Sequence, residues 1–293
     1  MKCLFASDLH GEMNLFNQLL DLAQSSLVET ILLGGDLLPS FPPTKRYEDM
    51  IPNQRIFIQQ FLIPFFKKTI QTTGVKHILL IPGNWDLGYP YLFKEPLEGV
   101  MDLDRKIYRF SEGYEIVGYP FVPPTPFRPK DYEKMDDPQS PWPPQKNPSY
   151  IRNPEPNGAF IPIDPHLYLR SRETIQEDLN RLPKPVSPGR TIYLTHSPPF
   201  GTRLDQIQGG RSAGSSSLKT FIETHQPLLS LHGHIHESPQ ISGSYVDWIG
   251  ETLSINPGQL FSRTLGAVTF EVERIKETLK HTYLSDIISH SEI

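Results

Sequence analysis

The sequence has one cysteine, no long apolar run and no excess of positive charge, and each of these features excludes a class of protein. Cys3 is the only cysteine among 293 residues, so the chain forms no internal disulfide and no thiolate zinc cluster. No apolar run approaches the ~20 residues that cross a bilayer. The net charge of -5 gives no overall attraction to nucleic acid or to an anionic membrane. Because no segment of signal-peptide form precedes the first apolar run, we expect a soluble cytoplasmic protein.

Proline, by contrast, is abundant, with 30 residues in the chain. Many of them lie between residues 120 and 165, where the sequence has no helical or strand period. Such a composition is typical of disorder or of an irregular surface segment. We interpret it as an ordered, proline-stiffened insertion beside the functional site, within one domain that spans residues 1–293. Its aromatic side chains are expected to pack beneath the insertion rather than to bind substrate.

Five apolar segments of strand length end on side chains that can bind a metal. The first ends on Asp8 and His10, followed by Gly11. In an extended backbone, residues two apart point to the same side, which would let Asp8 and His10 share one ion. The other four segments end on Asp36, on Asn84, on His196, and on His234 with His236. Because ligands of an open α/β sheet bind beyond the carboxyl ends of its strands, we expect all five loops in one site.

The remaining pattern predicts helices between these strands and β structure at the end of the chain. Apolar residues recur at helical spacing after the first strand, and a longer helix with a kink near Pro64 follows the second strand. The helices are predicted over 12–26, 52–73, 168–182 and 218–225, the last capped by Ser216 or Ser217. Two strands are predicted between residues 100 and 119, and several more between 243 and 283.

Read together, the five motifs resemble the calcineurin-like metallophosphoesterase superfamily. They are Asp8-x-His10, Gly35-Asp36, Gly83-Asn84, His196 and Gly233-His234-x-His236. Their order and spacing match from residue 4 to about residue 236, which is a specific signal. The resemblance implies an α/β (α+β) fold, a four-layer αββα sandwich of two mixed β-sheets flanked by helices, with metals at one edge. The segment after residue 243 would supply part of the second sheet.

The resemblance also implies a binuclear metal centre. Asp8, His10 and His236 would hold one metal. Asn84, His196 and His234 would hold the other, with Asp36 bridging the two. Imidazole together with carboxylate and amide oxygens suits borderline divalent transition metals. Manganese is therefore our first expectation, with iron, nickel and zinc as alternatives.

The reaction implied by the resemblance is hydrolysis of a phosphoester by a metal-bridging hydroxide, with no nucleophilic side chain. Asp36, Asn84 and His234 would act at the reacting group. Asn84, Trp85 and Arg211 are the predicted substrate contacts. A small-molecule or nucleotide phosphodiester is the favoured substrate, and a phosphomonoester is the alternative.

The sequence departs from the family at one position. Many members carry a histidine after Gly-Asn that is thought to protonate the leaving group, whereas this chain has Trp85. Loss of a general acid typically costs 10² to 10⁴ in rate, far less than loss of the metals. We therefore expect retained activity with a preference for good leaving groups, and Trp85 either roofs the site or stacks on a base or aryl group. His232 is an alternative proton donor.

The alternative from another functional class is a protein-binding scaffold. One branch of the superfamily resembles the retromer subunit, which uses this fold as a protein-binding surface and has a degraded site. Retention of seven ligand residues argues against that function. A protein Ser/Thr phosphatase is disfavoured because Asp36 is followed by Leu37 and Leu38 rather than by the Asp-Arg-Gly segment of those enzymes. The acidic net charge disfavours a DNA nuclease. The oligomeric state is left open by the sequence.

Overall fold

The computed structural model describes residues 1–40, 46–110, 112–140, 143–146, 148–153, 160–260 and 263–284. Its strands are β1 (Lys2–Ala6), β2 (Thr30–Leu33), β3 (His77–Leu80), β4 (Val100–Asp102), β5 (Ile107–Arg109), β6 (Glu115–Tyr119), β7 (Ser149–Arg152), β8 (Phe160–Ile163), β9 (Thr191–Thr195), β10 (Gln206–Ile207), β11 (Arg211–Ser212), β12 (Leu229–Leu231), β13 (Val246–Ile249), β14 (Thr252–Ile255), β15 (Ala267–Glu271) and β16 (Lys280–His281). Its helices are α1 (Met13–Ser25), α2 (Met50–Phe57), α3 (Ile63–Thr72), α4 (Pro165–Arg170), α5 (Ile175–Arg181), α6 (Ser216–His225), α7 (Ser238–Ser242) and α8 (Ile275–Thr278).

Two six-stranded mixed sheets form the centre of the molecule. The first has the order β16-β15-β1-β2-β3-β4, and the second has the order β13-β14-β12-β9-β6-β5. Strands β1 to β4 run parallel, and β15 pairs with β1 in the antiparallel sense. In the second sheet, β6, β9, β12 and β14 run parallel. The predicted motifs lie in loops that follow the carboxyl ends of parallel strands in both sheets.

The side chains of β1 show how the layers pack. Cys3 and Phe5 lie in the apolar layer between the two sheets, where they meet residues of the second sheet such as Leu194 and Leu231. Leu4, which points to the opposite face, packs in the cluster that contains α1 and α3. A third cluster joins β6 and β9 to α5 and α6. The order is helices, sheet, sheet, helices, which confirms the predicted αββα sandwich.

Several element boundaries differ from the prediction. The region between residues 100 and 119 holds three strands rather than two, because β4 joins the first sheet before the chain crosses to β5 and β6 of the second. The final strands are divided in the same way, with β13 and β14 in the second sheet and β15 and β16 in the first. The expectation that this tail supplies part of the second sheet is therefore confirmed for β13 and β14, whereas β15 and β16 extend the first sheet.

The predicted helices are confirmed in part, and local chemistry accounts for the differences. The long helix is interrupted by a π-helical turn at Ile58–Leu62, immediately before Pro64 in the first turn of α3. Proline lacks the amide donor and crowds the carbonyl of the preceding turn, and the wider turn accommodates it. The predicted helix over 168–182 is two helices, because Thr174 forms a capping box with Glu177 that starts α5 anew. Ser215, rather than Ser216 or Ser217, caps α6.

The proline-rich insertion leaves the second sheet after β6 and returns at α4. Its β7 and β8 form a two-stranded antiparallel hairpin, and residues 141–142, 147 and 154–159 lie outside the described part of the chain. Two of its described aromatic side chains pack on other rings as expected: Tyr132 lies against Phe121, and Tyr150 lies against Tyr47. Phe127 is different, since it reaches the cleft described below.

Candidate metal centre

Loops from both sheets bring their polar side chains to one place. One ligand atom each from Asp8, His10, Asp36 and His236 lies within 4.8 Å of all the others. The Nε2 atom of His236 is 3.2 Å from Oδ1 of Asp8 and 3.1 Å from Nε2 of His10. These four residues come from the loops after β1, β2 and β12.

The loops after β3 and β9 supply the other half of the cluster. Nε2 of His196 is 3.2 Å from Oδ1 of Asn84 and 3.4 Å from Oδ2 of Asp36. The ring of His234 lies beside that of His196, with 5.2 Å between the ring centroids. All seven residues predicted as metal ligands are therefore gathered at one edge of the two sheets.

Asp36 stands between the two halves. Its Oδ2 atom is 3.4 Å from Nε2 of His196 and 3.9 Å from Nε2 of His10. Its Oδ1 atom accepts a hydrogen bond of 2.8 Å from the backbone N–H of Trp85. That bond fixes the carboxylate so that one oxygen faces histidines of both halves.

The backbone of the site is turned, not extended. Asp8, His10, Asp36 and His234 have φ values of 62°, 45°, 51° and 68°. Such left-handed conformations are uncommon for residues other than glycine and cluster at functional sites. The prediction that Asp8 and His10 share a side because the strand continues through them is therefore wrong in its geometry. A tight turn after β1 brings the two side chains to the same cluster.

Two glycines allow the loops to approach closely. A Cβ on Gly83 would collide with the carboxylate of Asp36, and a Cβ on Gly233 would collide with Ser7 and with the carboxylate of Asp8. The Asp8 carboxylate also accepts hydrogen bonds of 3.0 and 3.1 Å from the backbone N–H of His234. Each glycine of the two motifs thus leaves room for an acidic side chain that comes from a different loop.

Further groups hold the ligands in place, and the sequence pattern did not identify them. Nδ1 of His196 donates to the carbonyl oxygen of Gly34 over 2.8 Å, which directs Nε2 toward the cluster. The hydroxyl of Ser40 hydrogen-bonds Nδ1 of His10. Asp86 is fully buried and accepts from the backbone N–H groups of Leu37, Leu38 and Gly83. Ser40 and Asp86 adjoin motif residues in sequence, but no spacing rule distinguishes them.

Burial and the two carboxylates set the protonation of the cluster. Burial lowers the pKa of His10 to about 4 and that of His234 to about 3. Burial also acts on His196, but the attraction of Asp36 outweighs it and raises the pKa to about 9. For Asp8, burial acts to raise the pKa, but the combined attraction of His236, His196 and His10 outweighs it and holds the pKa well below its usual range. The carboxylates are therefore ionised at neutral pH.

The donor set fits a divalent cation. Two imidazole nitrogens, those of His10 and His236, face each other at 3.1 Å beside two carboxylates. Unless a proton or a cation lies between them, the two nitrogen lone pairs would repel each other. Histidine nitrogens with carboxylate and amide oxygens form a donor set suited to divalent transition metals. The cluster therefore has the chemistry of a metal centre.

A cleft of about 630 Å³ opens beside the cluster. His10, His236, Trp85 and Phe127 are among the residues that line it. The ring centroids of these two aromatic residues are 5.3 Å apart. Glu12 and Asn53 also line the cleft. Trp85 thus lines the cleft, and its contact with substrate stays a prediction. Phe127 has no signal in the sequence that distinguishes it from the other aromatic residues of the insertion.

Two residues that were predicted to act at the site, His232 and Arg211, do not line the cleft. His232 is fully buried, and its Nδ1 bonds to Thr195 and to the carbonyl of Ser197 while its Nε2 bonds to Ser230. Burial lowers its pKa to about 3, so its predicted role as a proton donor conflicts with its surroundings. Arg211 is an exposed residue of β11 and does not line the described cleft.

The described residues contain no helix that is both long and apolar enough to cross a bilayer.

No curated protein matches the chain. One solved crystal structure aligns with a TM-score of 0.58 and 16% identity, over 97% of this chain and 99% of the other. The protein TT1561 of Thermus thermophilus aligns with a TM-score of 0.52 and 16% identity, over 96% of this chain and 97% of its own.

A dimetal phosphatase from Danio rerio aligns with a TM-score of 0.50 and 10% identity, over 92% of this chain and 91% of its own. At these identities the structures establish a shared fold. The sequence profile of the calcineurin-like phosphoesterases matches residues 1–238, and these residues contain all five motifs of the site. The chain therefore belongs to the calcineurin-like phosphoesterase family.

Proposed function

We propose that this chain is a binuclear metal-dependent phosphodiesterase that acts on a small-molecule or nucleotide phosphodiester. The observation that carries the proposal is the position of Asp36, whose Oδ2 atom lies 3.9 Å from His10 and 3.4 Å from His196. A carboxylate oxygen between histidines of two half-sites is the arrangement that a pair of cations requires.

The residues divide into two ligand groups. Asp8, His10 and His236 would hold one cation, with Asn84, His196 and His234 around the other and Asp36 shared. When bound, the pair would neutralise charge on the phosphoryl oxygens and acidify water at neutral pH. Manganese suits this mixture of imidazole and oxygen donors, and iron, nickel and zinc are the alternatives.

The chain's own groups position the substrate. The amide of Asn84 offers an N–H donor to a phosphoryl oxygen while its Oδ1 faces His196. The neutral ring of His234, whose pKa burial lowers to about 3, supplies a further nitrogen at the reacting group. Water is the nucleophile in this proposal, and no residue becomes phosphorylated. A phosphoryl adduct on the protein, seen by mass spectrometry after rapid acid quenching, would contradict it.

The wall of the cleft favours a diester. Among the described residues that line it, none is a lysine or arginine that could pair with the second negative charge of a monoester. The indole of Trp85 has no proton to give a leaving oxygen near neutral pH. Substrates whose leaving group departs as a stabilised anion should therefore react fastest.

The test is hydrolysis of bis(p-nitrophenyl) phosphate and of p-nitrophenyl phosphate by protein loaded in turn with manganese, nickel, zinc or magnesium. We expect the diester to give the larger kcat/KM and manganese the highest rate. Asp36→Asn replaces one oxygen of the shared carboxylate with an amide nitrogen and removes its charge. It should lower the rate by at least about 10³, which corresponds to about 4 kcal/mol of the several that bound metal ions supply.

The opposite results would be informative. A larger kcat/KM for the monoester would assign the chain as a phosphomonoesterase. No bound metal and no turnover of either ester would remove the enzymatic proposal and favour a protein-binding scaffold with the same fold.

A further inference from the structure

Trp85 and Phe127 line the same cleft as His10 and His236, and we call this pair of rings the aromatic wall. Their ring centroids are 5.3 Å apart, with 55° between the planes. Trp85 belongs to the loop after β3 that also carries Asn84, so it adjoins the metal centre. Phe127 comes from the proline-rich insertion, far away in sequence.

The two rings differ in their exposure. Trp85 is 7% exposed and packs on Met50 and Ile51 of α2 and on Leu87. Phe127 is 41% exposed. A large apolar ring that is this exposed does not contribute the full stabilisation that its burial would give the fold. The aromatic wall is therefore a fixed indole beside a phenyl ring with a free face.

The turn that carries Phe127 is held rigidly. The backbone N–H of Phe127 donates to the hydroxyl of Thr125 over 3.2 Å. Thr125 is in turn bound through its N–H to Glu133 over 3.0 Å, and its carbonyl accepts from Nζ of Lys130 over 2.8 Å. Lys130 and Glu133 form a fully buried ion pair of 2.8 Å. The ring of Phe127 is thus presented by a preorganised turn, and little conformational entropy remains to be lost when a ligand contacts it.

We propose that the aromatic wall binds a nucleobase, so that the phosphoester hydrolysed at the metal centre is that of a nucleotide. A base has an apolar π-face that stacks on aromatic side chains, and such stacking tolerates any base. Asn53 lines the same cleft and offers both a donor and an acceptor to the edge of a base. The inference rests on the proposed function, because the phosphate of the nucleotide is assigned to the metal centre.

The experiment compares two ligands, one with a base and one with a hydroxyl group in its place. Adenosine 5′-monophosphate and ribose 5-phosphate are titrated into the manganese-loaded full-length protein by isothermal titration calorimetry. Stacking of one base corresponds to a ratio of about five- to hundredfold in affinity. We expect the wild type to bind the nucleotide more tightly by a ratio in that range.

Three variants define the role of the ring. Phe127→Ala should lose most of the preference for the nucleotide, and Phe127→Tyr, which keeps an aromatic face, should restore it. Trp248→Ala removes another exposed aromatic side chain, 44% exposed on β13, and should retain the wild-type ratio. Equal affinity of the wild type for both ligands, or an unchanged ratio in Phe127→Ala, would overturn the inference.

The proposed function is tested separately by turnover of bis(p-nitrophenyl) phosphate in the same samples. Turnover without a preference for the nucleotide would remove the inference and leave the phosphodiesterase proposal in place. A preference that depends on Phe127 without turnover would retain the base site and remove the enzymatic proposal.

Discussion

At the scale of single residues, we expect the position after Asn84 to influence which substrates the site favours. Trp85 supplies its backbone N–H to Asp36 and its ring to the cleft wall. The first role is open to any residue except proline. The second role replaces a proton donor with an aromatic surface.

Replacement of Trp85 by histidine should restore proton donation to the leaving group. We expect Trp85→His to raise kcat/KM for an alkyl phosphodiester, relative to an aryl phosphodiester, by about 10² to 10⁴, the contribution typical of a general acid. Trp85→Phe is the matched control, because it keeps an aromatic ring and has no titratable proton. Equal ratios for the two variants would show that this position does not govern the leaving group.

Ser40 is the residue-scale contact that fixes the ring of His10. Removal of a hydrogen-bond partner of a ligating histidine typically costs 10- to 100-fold in metal affinity. We therefore expect Ser40→Ala to lower manganese affinity by about that factor, measured by competition with a chelator. Ser25→Ala is the control, since that hydroxyl bonds to the carbonyl of Leu22 within α1. The same affinity in both variants would contradict this role.

At the scale of elements, the insertion depends on an ion pair that the sequence does not reveal. Lys130 and Glu133 are both fully buried. Burial raises the pKa of Glu133 to about 7 despite the attraction of Lys130, which shows how costly this buried carboxylate is. Proline content alone favours a loosely ordered segment, whereas the described part of the insertion is organised by this pair and by Asp136, which binds the N–H groups of Ser216 and Ser217 at the start of α6.

Removal of one member of the pair leaves the other charge buried without its partner. Such changes cost about 3–5 kcal/mol, and we expect Glu133→Ala to lower the free energy of unfolding in urea by that amount. In the double variant Lys130→Met, Glu133→Leu, no unpaired charge remains, and part of the lost stability should return. The remainder is the cost of Thr125, whose buried N–H and carbonyl lose their partners. A loss below about 1 kcal/mol in the single variant would contradict the account of the turn.

The edge strand β16 carries a histidine that is held neutral. Nε2 of His281 donates to the carbonyl of Pro257 over 2.9 Å, and Nδ1 accepts from the N–H groups of Tyr283 and Leu284. A second proton would have to enter at Nδ1, where two N–H groups already point. Burial accordingly lowers the pKa of His281, against a smaller opposing effect of the Pro257 carbonyl.

This arrangement predicts a pH dependence of stability. Because the folded-state pKa is lowered, the unfolded chain binds a proton that the folded chain does not, so stability falls as pH drops below the unfolded value of about 6.5. His281→Asn keeps an acceptor for the two N–H groups and cannot titrate. We expect the wild type to lose more stability than His281→Asn between pH 8 and pH 5.5 in urea unfolding. An equal loss would contradict the assignment of a neutral imidazole.

At the scale of the whole molecule, the sequence predicts the convergence of the ligands but not the path that achieves it. The apolar strands before Asp8, Asp36, Asn84 and His196 are buried parallel strands, whose pattern is legible because nearly every residue is apolar. Which sheet each strand joins depends on packing between distant segments, and a local pattern does not report it. For the same reason β4 and β5 could not be assigned to different sheets from residues 100–119 alone.

The left-handed turns at the ligands have the same explanation. Asp8, His10, Asp36 and His234 adopt a strained conformation that local propensity disfavours, and it persists because neighbouring loops bond to it. Examples are the bonds from the N–H of Asp8 to the carbonyl of Gly35 and from the N–H of His10 to the carbonyl of Asp36. Functional sites are where local preferences and the global fold disagree most, and a sequence pattern carries only the local part.

We propose that loops from two sheets, separated by more than two hundred residues along the chain, form one pair of cation sites that share Asp36. The most direct test is the number of divalent ions bound per chain, measured by elemental analysis after manganese loading and removal of free metal. The wild type should bind two ions, and Asp36→Asn, which lacks the shared carboxylate, should lose most of both. A wild type that binds none, or an Asp36→Asn variant that binds as much metal as the wild type, would contradict the claim.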